Sequence, residues 1–83
     1  MENFMDKLEN LTKDEILKKI GNGEIKSVFM KDDFYECVIK ITREKDYLKH
    51  KNRKEVETSF KNDTVYDIFL SGVFITEEEY SNY

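Results

Sequence analysis

Cys37 and His50 are the single thiol and the single imidazole of the 83-residue chain. A cysteine nucleophile needs a depressed thiol pKa and a base beside it. Cys37 instead falls in the alternating run Tyr35, Cys37, Ile39 and Ile41, which predicts a buried structural thiol on the apolar face of a strand. His50 stands among Lys49, Lys51, Arg53 and Lys54, whose charges disfavour its protonation and repel a metal cation, so a surface histidine is expected. In this pattern the two residues are too far apart to form a dyad. Zinc takes four nitrogen or sulfur ligands, more than one Cys and one His supply.

Carboxylates offer little more. Asp32-Asp33 and Glu77-Glu78-Glu79 lack the alternating oxygen ligands and central glycine of a calcium loop. A turn accounts for the first run, and attraction to a helix N-terminus for the second. Gly21-Asn22-Gly23 is too short for a phosphate loop and has no following lysine with Ser or Thr. No catalytic, cofactor-binding or metal-ligating residue is expected.

Contact chemistry is better represented. Between residues 43 and 54, Arg43, Lys45, Lys49, Lys51, Arg53 and Lys54 oppose Glu44 and Asp46, a local charge of +4 within a chain of net −4. With Tyr47 beside them, these cations suit a phosphate backbone or an acidic protein surface. A solvated loop that keeps strand edges soluble is the plainer explanation.

The elements that position these groups follow from local signals. Thr12-Lys13-Asp14-Glu15 is a capping box flanked by Leu11 and Ile16, and it opens a helix over about 13–20 that Gly21 stops. Phe4, Met5, Leu8 and Leu11 recur at helical spacing, predicting a helix over about 2–10. After Gly23 the period becomes two, with strands expected at about 25–30, 35–42 and 55–61. A three-residue loop, Lys31-Asp32-Asp33, joins the first pair, with Asp33 in the left-handed position. That register places Ile25, Phe29, Tyr35 and Ile39 on one face. Val28, Met30, Phe34 and Val38 then share the other, which is either covered by helices or open to a partner protein or a second copy of the chain. Residues 44–52 read either as a strand extension or as a short helix. Asp63 or Thr64 caps a helix bearing Val65, Ile68 and Phe69, with Gly72 as its stop and a strand over 65–70 as the competing reading. A second capping box at Thr76-Glu77-Glu78-Glu79, with Ile75 and Tyr80 as its staple, predicts a terminal helical turn.

A chain of this length buries roughly 60% of its unfolded surface, and the 39% hydrophobic share is carried by large residues. The expected fold is a small single α+β domain over 1–83: N-terminal helices, a three-stranded antiparallel meander and C-terminal helices packed on the sheet. Met1-Glu2-Asn3-Phe4 lacks the basic start and apolar run of a secretory signal, no apolar stretch nears the roughly 18 residues of a membrane span, and a cytoplasmic location is expected. Abundant Phe, Tyr, Ile, Asn and Lys beside only five Gly, Ala, Arg and Pro combined reflect AT-rich coding, as in low-GC bacteria and their phages or mobile elements. The functional expectation is a non-enzymatic interaction protein that binds and modulates or inhibits a larger protein through Val28, Met30, Phe34, Val38 and the basic segment Arg43, Lys45, Tyr47, Lys49, Lys51, Arg53 and Lys54. The alternative is a nucleic-acid-binding regulator using residues 43–54.

Overall fold

Thr12 opens the first described helix as its sequence predicts: its hydroxyl accepts from the Glu15 N–H at 3.1 Å, and Glu15 Oε1 accepts from the Thr12 N–H at 3.2 Å. The computed structural model describes residues 8–83. Helix α1 (Lys13–Gly21) buries Ile16 and Ile20 and carries Lys18 and Lys19 at its negative C-terminal end. The helix predicted over 2–10 lies largely outside the described residues; within them Leu8 is helical and buried.

Five strands follow in one sheet: β1 (Ser27–Asp32), β2 (Cys37–Thr42), β3 (Asp46–His50), β4 (Val56–Thr58) and β5 (Val73–Ile75), with α2 (Asp63–Ser71) before β5 and α3 (Glu77–Ser81) after it. The spatial order is β4-β3-β2-β1-β5, and every pairing is antiparallel. The α+β class stands, but the sheet has five strands where a three-stranded meander was expected. Residues 46–50 add a strand inside the basic segment, and 73–75 add one beside β1. The strand expected at 55–61 shortens to 56–58.

The β1–β2 register also differs from expectation. Val28 faces Ile41, Met30 faces Ile39 and Asp32 faces Cys37, so four residues, 33–36, make the connection. Asp32 Oδ1 accepts from the N–H groups of Phe34 and Tyr35 at 2.8 and 3.1 Å, and Glu36, not Asp33, takes the left-handed conformation at φ 52°. This register wins because it gathers Val28, Met30, Cys37, Ile39 and Ile41 on one face. That face forms the main core with Ile16, Ile20, Val65, Ile68 and Phe69 of α1 and α2. Phe29 and Val38 lie on the opposite face, in a second cluster with Ile75 and Tyr80. The face expected to be shared by Val28, Met30, Phe34 and Val38, covered by helices or open, does not form: Val38 lies on the face opposite Val28 and Met30, all three are fully buried under helices, and Phe34 sits in the β1–β2 connection, 87% exposed. Helices cover both faces of the sheet, α1 and α2 on one and α3 on the other.

Helix α2 is capped by Asn62, one residue before the expected Asp63, with Oδ1 accepting from Thr64 and Val65 N–H. Gly72 ends it, and there any side chain is excluded: a Cβ would lie 2.6 Å from the Ile68 carbonyl oxygen and 2.8 Å from that of Lys31. The second capping box forms as predicted at Thr76 and Glu79. Its staple residues Ile75 and Tyr80 are both buried in the second cluster, and Tyr80 packs on Phe29 with ring centroids 5.2 Å apart. Helix α3 thereby covers only part of its sheet face.

Candidate functional site

The part of the sheet that α3 leaves open is a cleft of about 900 Å³. Its floor is Ser27, Phe29, Lys40 and Thr42, which share one face by strand alternation. Lys49 of β3, Arg53, Lys54 and Glu55 of the β3–β4 connection, Glu77, Tyr80 and Ser81 of α3, and Lys26 just before β1 line its sides. Five cations thus meet two carboxylates around one cleft. Its field is positive on a chain of net charge −4.

Two of the cations are held by the protein itself. Lys49 Nζ donates to the carbonyls of Tyr80 and Ser81 at 3.1 and 3.0 Å, neutralising orphan carbonyls at the C-terminal end of α3. Lys40 Nζ lies 3.3 Å from Glu55 Oε2 and over the Tyr47 ring at 4.5 Å. The same Glu55 oxygen accepts from the Tyr80 hydroxyl at 2.6 Å. That hydrogen bond, aided by Lys40 and opposed by burial, holds the Glu55 carboxyl below its ordinary range. Conversely, burial, and after it the Glu55 carboxylate, pushes the Tyr80 hydroxyl far up, so it remains a donor. Lys26, Arg53 and Lys54 are exposed, and no ion pair joins them to another described residue.

The basic segment read from the sequence is thus divided by the fold. Lys49, Arg53 and Lys54 line the cleft, and Tyr47 lies beneath Lys40. Arg43 lines a separate small hollow between α1 and the β2–β3 turn, Lys45 pairs with Glu57 at 3.6 Å, and Lys51 is exposed outside the cleft. Lys26, Lys40, Glu55, Glu77 and Tyr80 were missed. The available signal was Lys40, a cation alternating with Ile39 and Ile41 and so pointing away from the main core.

Cys37 and His50 also meet, contrary to expectation. The β2–β3 register sets them directly opposite each other, with Cys37 Sγ 3.1 Å from His50 Nδ1 and 3.1 Å from the Tyr35 carbonyl oxygen. Cys37 is nonetheless buried, and burial, followed by the charges of Asp32 and Glu36, pushes its thiol up. The pair is a contact across two strands, and the raised thiol value favours the protonated sulfur. Among the described residues no group of three or more His, Cys, Asp or Glu side chains is placed to hold a metal ion, and no described helix is long and apolar enough to cross a membrane.

The chain matches no protein-family model, no curated protein and no solved structure.

Proposed function

We propose that the protein is a non-enzymatic interaction module that binds an acidic segment of a larger protein in this cleft and modulates or blocks that partner by covering it. The observation that carries the reading is the convergence of Lys26, Lys40, Lys49, Arg53 and Lys54, from four separate parts of the chain, around one open cleft. Such a field raises the encounter rate with an acidic surface and fixes its orientation.

A protein segment fits better than nucleic acid for two reasons. Glu55 and Glu77 lie within the cleft, where they repel a continuous phosphate backbone but leave room for a partner with its own mixed charges. Single strands also need exposed aromatic faces for their bases, whereas Phe29 and Tyr80 are 9% and 5% exposed and Tyr47 is covered by the Lys40 ammonium.

The test compares a dye-labelled hexaglutamate peptide with a single-stranded oligonucleotide by fluorescence anisotropy at low salt. Binding of the peptide that is lost in Lys26→Glu/Arg53→Glu/Lys54→Glu supports the reading. Oligonucleotide binding that exceeds peptide binding sinks it in favour of a nucleic-acid regulator.

A further inference from the structure

The anion seat in the cleft is already filled by the chain's own carboxylate. Tyr80 Oη donates to Glu55 Oε2 at 2.6 Å, and Lys40 Nζ stands 3.3 Å from the same oxygen. The seat itself is firmly built: Tyr80 is 5% exposed and packed on Phe29, and the Lys40 side chain is 24% exposed beneath it. Its occupant is not. Glu55 lies outside the strands, immediately before Val56 in an exposed connection, and its side chain is 40% exposed.

We propose that Glu55 is an internal stand-in for the partner's carboxylate, and that an Asp or Glu side chain of the partner displaces it onto Tyr80 and Lys40, so that the free protein is autoinhibited. This rests on the reading of the cleft as a site for an acidic protein segment, and it deepens that reading by specifying the group recognised. A carboxylate is the anion that the seat is seen to hold, and its geometry is one short hydroxyl donor and one ammonium on a single oxygen. Lys26, Arg53 and Lys54 at the rim attract the acidic segment; the Tyr80–Lys40 seat selects one carboxylate of it. Release costs little structure, because the departing Glu55 side chain swings toward solvent and the incoming group restores both contacts.

Competition of this kind lowers the apparent affinity by the fraction of time the seat is free. The hexaglutamate peptide is titrated into wild type, Glu55→Gln, Glu55→Asp and Glu77→Gln, with folding of each checked by circular dichroism. Glu55→Asp keeps the charge but is one methylene too short to hold the seat. Displacement therefore predicts that both Glu55 variants bind about tenfold more tightly, the gain expected for a seat filled roughly nine-tenths of the time. Glu77→Gln, which removes one negative charge from the cleft and from the first turn of α3 without altering the Tyr80–Lys40 seat, gains no more than about threefold by screened charge–charge attraction. Equal gains in Glu55→Gln and Glu77→Gln with none in Glu55→Asp overturn the displacement and leave a simple field effect. Weaker binding by folded Glu55 variants overturns it as well, because Glu55 would then be a support for the cleft wall. If no variant and no wild-type protein binds the peptide, the acidic-segment reading itself fails, and the inference with it.

Discussion

Replacing Tyr80 by Phe removes one hydroxyl and leaves the ring that packs on Phe29 at 5.2 Å. The lost interaction is the 2.6 Å hydrogen bond to Glu55. A hydrogen bond to a charged group contributes about 1.5–3 kcal/mol. Here the acceptor side chain is 40% exposed and keeps Lys40 at 3.3 Å, so solvent and ammonium recover part of the loss, and about 1–1.5 kcal/mol is expected. For a domain of this size that lowers the melting temperature by roughly 4–8 °C per kcal/mol. The assay is urea unfolding followed by tyrosine fluorescence and far-ultraviolet circular dichroism, run as a cycle with Glu55→Ala and the double variant. A coupling of about 1 kcal/mol between the two sites is predicted. Additivity within about 0.3 kcal/mol, or a Tyr80→Phe midpoint equal to wild type, would refute the expectation that the Tyr80–Glu55 hydrogen bond contributes to the stability of the free protein.

Other consequences are checked by simple means. Glu55 is bound more tightly ionised in the folded than in the unfolded state, so its contribution is present above the unfolded carboxyl value of about 4.3 and fades as pH falls through the lower folded value; Asp46, pushed up chiefly by burial, acts with the opposite sign. The urea midpoint of Glu55→Gln should accordingly fall less than that of wild type between neutral pH and pH of about 3, and parallel profiles contradict this. Gly72→Ala places a Cβ 2.6 Å from a backbone oxygen and should cost about 1–3 kcal/mol, while Gly21→Ala, with nothing within 4 Å, should stabilise by about 0.4–1 kcal/mol; the contrast is read in one pair of melts. Cys37, 1% exposed with a raised thiol pKa, should react with a disulfide reagent only as fast as the protein opens, and a native rate close to that in urea contradicts its burial.

Where structure is local, the sequence was legible. Both capping boxes, the stop at Gly72 and the Ile75–Tyr80 staple rest on residues within five positions of one another, and all form. Pairing between strands was less so. The β1–β2 register depends on the Asp32 carboxylate turning back onto two N–H groups and on Glu36 accepting a left-handed backbone, neither of which alternation records. Strand β3 offers only Leu48 as a large aliphatic residue, and Tyr47, Leu48 and Lys49 are all half-buried, so its pattern is too weak to separate from a charged loop. Missing β3 concealed both the Cys37–His50 contact and the division of the basic segment. The cleft was visible only as surplus charge at Lys49, Arg53 and Lys54; its remaining cations and the Glu55–Tyr80–Lys40 seat required the fold.

The central claim is that this cleft receives an acidic segment, and residue-resolved nuclear magnetic resonance of a 10.0 kDa protein tests it most directly. On titration with hexaglutamate, amide shifts should move in a saturable, salt-sensitive way at Lys26, Lys40, Lys49, Arg53, Lys54 and Glu55, with the Tyr80 ring following. Shifts concentrated instead at Arg43, Lys45 and the exposed Phe34, or absent at low salt, would contradict it.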